Sequence, residues 1–231
     1  YLHLHETEST GDYALAALKE SGAKIDQTVL TTWLRAAELT EPFERGRGYV
    51  YESDRLREAL PGLRSRAAVP DSTMLRDIAN MLADVGVVFM VVEPPKNFPL
   101  LGMTRWIDKR VPVIQQTGRQ VKDGFVIWTL FHELGHVLND PRGEMHLEYG
   151  TEKKRNSAAE TAANKFAMDV LFGESGMTPF KGLTRDHEIA DAARRVGISP
   201  GVAVLQMHRR RLLPYSYGNQ LCVKLAGPFT A

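Results

Sequence analysis

The sequence predicts an α+β fold, mainly helical, with one apolar helix packed on a small three-stranded sheet. Three observations carry this. Apolar residues recur at helical spacing through most of the chain, β-branched and alternating runs are confined to residues 87–115, and Pro, Gly and Asp clusters separate the segments. Residues 12–20 read as a short helix closed by Ser21-Gly22, and 25–39 as a longer one. Pro42, Gly46 and Gly48 then predict a loop. Ser53 reads as the N-cap of a helix over 54–60 that stops at Pro61-Gly62.

The pattern tightens from residue 70. Asp71-Ser72 caps a helix whose apolar positions are Leu75, Ile78, Ala79 and Leu82, ending by Gly86. Residues 87–92 form a β-branched strand, and Pro94, Pro95 and Pro99 end it. Two more strands, near 103–107 and 111–115, are joined by the turn Asp108-Lys109-Arg110. A helix over about 125–138 follows, then one over 155–172 with Ala159, Ala163, Phe166, Ala167 and Val170 on one side. Helices over 186–196 and 200–211 close the pattern, the last opened by Ser199-Pro200. This divides the chain into an N-terminal helical and linker segment (1–69), a central domain (70–175) and a C-terminal helical extension (176–231).

Composition narrows the function class. The chain is 43% hydrophobic and 25% charged, with a formal charge of +1, so no global field recruits nucleic acid or an anionic membrane. Apolar runs such as 85–92 and 125–131 fall far short of the roughly 20 residues that span a bilayer. A single cysteine, Cys222, cannot make an internal disulfide. With no signal peptide visible after Tyr1, a cytoplasmic location is expected.

Chemistry concentrates at Phe131-His132-Glu133-Leu134-Gly135-His136-Val137. His132 and His136 stand i, i+4 on a predicted helix, so both imidazoles leave one face and can reach one zinc ion. Glu133 beside the first ligand suits a general base that takes a proton from a water acidified by zinc. With 7 histidines in 231 residues, a chance match to this spacing is expected on the order of 0.01 times. The apolar flanks argue against two solvated histidines. Gly135 lends that face little bulk, which would leave the metal approachable.

A catalytic zinc takes a third protein ligand and keeps one position open. Glu144, His146, Glu148, Glu152 and Glu160 are the candidates downstream. Glu160 is preferred because Asn164 follows one turn later on the same predicted helix, where it can steady a histidine. Position alone leaves a surface carboxylate as an equal alternative.

These residues resemble the ImmA/IrrE-type metallopeptidases of bacteria and phages. The matching stretches are Trp128-Thr-Leu-Phe-His-Glu-Leu-Gly-His-Val-Leu138 and Glu160-Thr-Ala-Ala-Asn-Lys-Phe-Ala167. The resemblance implies a zincin-like peptidase with a thermolysin-like helix pair on its sheet. It also implies Zn2+ held by His132, His136 and Glu160, with Glu133 as base. It covers about residues 70–217 and is loose before that. Gly173-Glu-Ser-Gly-Met-Thr-Pro179 departs from the short Met-Pro that often ends the second helix of the family. Residues 197–204 and 212–217 are similar to the tail of a subgroup fused to, or paired with, an antitoxin-like helix-turn-helix repressor. The resemblance therefore implies a protein substrate of repressor or antitoxin type, and a DNA-binding domain upstream of Tyr1.

Other residues offer weaker readings. His208, on the last helix, could stabilise an oxyanion, although a helix-end histidine favoured by the dipole is the plainer account. Tyr215 and Tyr217 are further oxyanion candidates that aromatic packing explains equally well, and His3, His5 and His187 read as surface residues. The clusters Arg194-Arg195 and Arg209-Arg210-Arg211 read as a solvated face, with no membrane and no direct nucleic-acid partner expected for residues 1–231. A substrate is expected to lie as an extended strand beside 102–107 or 111–115. The alternative function is a peptidase-like sensor that binds a partner without turnover, and Glu133 argues for catalysis over it.

Overall fold

A computed structural model describes residues 26–118, 121–149 and 158–225. The helix expected at 12–20, together with His3, His5 and Glu152 and the side chain of Glu148, lies outside the described residues.

The described residues form an α+β fold with eight α-helices and one mixed sheet. The helices are α1 (Gln27–Glu38), α2 (Glu41–Arg47), α3 (Ser53–Ala67), α4 (Met74–Ala83), α5 (Asp123–Asn139), α6 (Ala158–Phe172), α7 (Asp186–Val196) and α8 (Pro200–Arg209). The strands are β1 (Val88–Val92), β2 (Leu100–Ile107), β3 (Val111–Thr117) and β4 (His146–Tyr149). The sheet runs β1-β3-β2-β4, with β1 parallel to β3 and β2 antiparallel to both its neighbours.

Alternation along the strands separates two apolar layers. Phe89, Val91, Trp106 and Ile114 turn to α5 and join the large core built with Ile127, Phe131 and Leu134. Val88, Met90, Val113 and Met103 turn the other way, where α1 and α2 cover them with Leu30, Trp33, Ala37 and Phe43. Trp33 ties α1 to the sheet: its carbonyl accepts from Gln115 Nε2 at 2.8 Å, and its indole meets the Phe98 ring at 4.9 Å. The β2–β3 hairpin turns on Asp108 and Lys109, both in the left-handed region (φ 51° and 53°), and Arg110 N donates to Ile107 O at 2.9 Å.

The structure corrects several expectations. The sheet has four strands, because His146–Tyr149 pairs with β2. That strand is too short, and carries too little apolar alternation, to be read in advance. Strands β2 and β3 are both interior, so neither offers the free edge expected to receive a substrate; the outer strands among the described residues are β1 and β4. Residues 41–47 are helical, since Pro42 falls in the first turn, where its missing N–H costs nothing.

Helix α3 runs through Pro61-Gly62 to Ala67, and Ser53 is its first residue rather than its cap. Leu56, Leu63 and Ala67 are fully or nearly fully buried, while Pro61 lies exposed. Burial of that stripe, with Arg64 Nε donating to Leu171 O at 3.1 Å, outweighs the roughly 3 kcal/mol an interior proline costs. Helix α8 stops at Arg209, and Arg211 then turns left-handed (φ 57°).

Candidate metal centre

Helix α5 is buried on almost every side. Its N-terminus meets α8 where Gly124 and Gly201 allow close approach: a Cβ on Gly124 would stand 2.3 Å from Gly201 O. Farther along, a Cβ on Gly135 would stand 3.0 Å from Ala163 Cα and 3.2 Å from Phe166 Cδ1. Gly135 is therefore the crossing point of α5 and α6, which corrects the expectation that it opens the approach to a metal. That close crossing sets the position of Glu160, three residues before Ala163 on α6.

His132, Glu133 and His136 are all at least 96% buried. The two Nε2 atoms lie 3.1 Å apart; Glu160 Oε2 is 3.4 Å from His132 Nε2, and Glu160 Oε1 is 3.6 Å from His136 Nε2. Ligands at about 2.05 Å on a tetrahedral zinc stand about 3.3 Å from one another, so these three donors fit the ion. Each imidazole has its other nitrogen engaged: His132 Nδ1 meets Asn164 Oδ1 at 3.2 Å and His136 Nδ1 meets Asp140 Oδ2 at 2.6 Å. Both acceptors place the proton on Nδ1 and leave the Nε2 lone pair free for a metal.

The field at the site favours a cation. Burial opposes charge on His136, but the hydrogen bond to Glu160 and the charges of Glu133 and Asp140 outweigh it and push its pKa up to about 9. Burial likewise works against the Glu160 carboxylate, and its hydrogen bonds to His132 and His136 hold it far below the usual carboxylate range. A divalent cation takes over the role that protons play in that arrangement.

A second group, His136, Asp140 and His146, also lies close enough to be weighed as a metal site. Its geometry argues for hydrogen bonding. The His136 and His146 rings are stacked at 3.8 Å with planes 12° apart, so their in-plane lone pairs run side by side and cannot converge on one ion. His146 Nε2 instead reaches Asp140 Oδ2 at 3.1 Å. Burial and the neighbouring His136 charge lower the His146 pKa to about 4, so it is a neutral partner to that carboxylate.

Two site residues went unread in the sequence. Thr104 of β2, fully buried, donates through Oγ1 to Glu133 Oε2 at 2.6 Å and orients that carboxylate. The available signal was a polar residue at an inward position of a strand whose neighbour on the same face is Trp106. Asp140 was readable as the i+4 neighbour of His136. Other candidates are placed elsewhere. Glu144 is exposed after α5, and His187 is exposed on α7. His208 is committed to the chain, with Nε2 donating to Tyr217 O at 2.9 Å and its ring 5.0 Å from that of Tyr215. The Tyr215 and Tyr217 side chains are largely exposed. Burial, with the Asp123 charge, raises the pKa of the Cys222 thiol. No helix among the described residues is long and apolar enough to cross a membrane.

Over residues 126–208 the chain matches a family model, Peptidase_M78, described as the IrrE N-terminal-like domain. That stretch takes in His132, Glu133, His136, Glu160 and Asn164, and it supports a metallopeptidase-like function. No curated protein and no solved structure matches the chain.

Proposed function

We propose that this chain is a zinc-dependent endopeptidase with a zincin-like centre, in which His132, His136 and Glu160 hold the ion and Glu133 is the general base. The single observation that carries the reading is the three donor atoms at 3.1, 3.4 and 3.6 Å from one another, the spacing a tetrahedral zinc needs, with a buried carboxylate next to the first of them. Zinc bound there supplies Lewis acidity to a peptide carbonyl and to a water. The chain does the rest. Asn164 and Asp140 fix the tautomer and direction of the two imidazoles. Thr104 holds one oxygen of Glu133, which leaves the other to take the proton of the attacking water and hand it to the departing amine. Burial of the whole set strengthens each of these interactions.

The substrate we propose is a regulatory protein of repressor or antitoxin type. This rests on the resemblance of the C-terminal segment and on the selectivity that a peptidase acting among folded cellular proteins requires. Glu133→Gln tests the catalytic reading against that of a non-catalytic sensor. The amide keeps the shape and the hydrogen bond from Thr104 but accepts no proton, so zinc content should be unchanged and cleavage should fall by about 10²–10⁴. Near-normal cleavage by that variant would exclude Glu133 as the base.

A further inference from the structure

A small cleft opens between α5 and the sheet, lined by Leu101, Gln116, Thr117, Phe125, Val126 and Thr129. Thr129 stands three residues before His132 and four before Glu133, so helical geometry places it on the same face one turn earlier. The opposite wall belongs to the same sheet face as Thr104. Gln116 faces α5, its Nε2 donating to Val126 O at 3.4 Å, and a register shift between Leu100 and Gly102 brings Leu101 round beside it. Thr117 closes the end, its hydroxyl donating to Leu101 O at 3.1 Å. The cleft therefore continues the site on the Glu133 side.

The direction of proton transfer says what that side receives. A base that takes the water proton returns it to the nitrogen of the leaving amine, so the leaving group sits next to Glu133. The side chain of the residue carrying that nitrogen then points into the nearest recess along α5. Resting on the peptidase reading above, we propose that this cleft is the specificity pocket for the residue on the leaving-amine side of the cleaved bond, and that it selects small uncharged side chains such as Ala, Ser and Thr. The enclosed part has room for about one water-sized group. Its lining mixes apolar surface with two hydroxyls and one amide, which suits a methyl or hydroxyl. No charged residue lines it, so a buried Lys, Arg, Asp or Glu would lose its hydration without a partner.

The test exposes zinc-loaded protein to a mixed peptide library and sequences the new N-termini by mass spectrometry. Ala, Ser and Thr should be enriched roughly tenfold or more over Leu, Phe and charged residues at the first new position. Phe125→Ala enlarges the cleft and should admit Leu and Met there, while the preference on the other side of the bond stays as it was. Thr129→Leu fills the cleft and should restrict the position towards Gly, and it serves as a second probe should Phe125→Ala unfold. Large or charged new N-termini in the unsubstituted protein, or a preference that neither variant moves, would overturn the pocket assignment. If no peptide is cut although zinc is bound, the peptidase reading fails. The pocket is then judged by calorimetric binding of peptides to the Glu133→Gln form: equal affinity for Ala- and Lys-bearing peptides overturns it, and preference for Ala supports it.

Discussion

At the scale of single residues, the centre depends on hydrogen bonds that orient groups as much as on the groups themselves. Thr104 and Glu133 show this most directly. Both are buried, and the hydroxyl is 2.6 Å from one carboxylate oxygen. Thr104→Val keeps the shape and removes the donor, which leaves a buried carboxylate oxygen short of a partner at about 1–3 kcal/mol. If that loss falls on the positioning of the base, turnover should drop by roughly 10–100-fold with zinc content unchanged, and Thr104→Ser should recover most of it. Turnover equal to the unsubstituted protein would show that the hydroxyl does not position Glu133. The motif that carries the metal was legible residue by residue, because an i, i+4 pair on a helix is local geometry. Thr104 was not, because its partner is 29 positions away and strand alternation names a face without naming what stands opposite.

At the scale of elements, two contacts make distinct predictions. The first is the α5–α6 crossing at Gly135. In an isolated helix alanine is favoured over glycine by about 1 kcal/mol, so Gly135→Ala would stabilise the protein if the crossing had slack. A Cβ there meets backbone at 3.0 Å, so α6 must shift and carry Glu160 and Asn164 with it. Zinc affinity should fall about tenfold or more although no ligand has changed, measurable by competition with a chelating dye; unchanged affinity would mean that the helices part without moving the ligands. The second is the start of α4, where Asp71 Oδ1 accepts from Thr73 N at 2.8 Å and Met74 N at 2.9 Å, and Arg66 Nη2 donates to it at 2.6 Å. The Arg66 hydrogen bond, then the Thr73 amide, lower the Asp71 pKa from 3.8 to about 2. A folded-state pKa below the unfolded one means stability that is present above pH 3.8 and lost as pH falls towards 2. Asp71→Asn should thus melt earlier than the unsubstituted protein at pH 6, with the gap closing between pH 4 and pH 2. A gap independent of pH would assign the effect to shape and not to charge.

At the scale of the whole molecule, the metal ties together parts that are distant in sequence. His132 and His136 ride on α5, at the heart of the core, and Glu160 rides on α6. An ion bound only by the folded arrangement stabilises it by about 2.7 kcal/mol at a free concentration 100 times its dissociation constant. For a chain of this size that is a shift on the order of 5–10 °C. Chelation should lower the melting temperature of the unsubstituted protein by such an amount and leave Glu160→Ala nearly unmoved, with zinc content of that variant sharply reduced. Full zinc occupancy in Glu160→Ala, together with loss in a His146→Ala variant, would move the third ligand to His146.

Sequence alone determined what depends on neighbours within a turn or two. It placed the apolar helix with His132, Glu133 and His136 on one face, the Asp108-Lys109 hairpin, the Ser199-Pro200 helix start and the Asp71 cap. Each follows from side chains and backbone amides that meet through local geometry. Tertiary structure decided which downstream acid meets the histidines. That choice is set by how closely α6 can approach α5 at Gly135, a packing distance that no spacing along the chain encodes. It also decided that β4 joins the sheet and takes from β2 the edge that a substrate was expected to use, and that α3 continues through Pro61 because the stripe of Leu56, Leu63 and Ala67 is buried. In each case burial against a partner distant in sequence outweighs a local preference worth a few kcal/mol, and the partner exists only once the chain has folded.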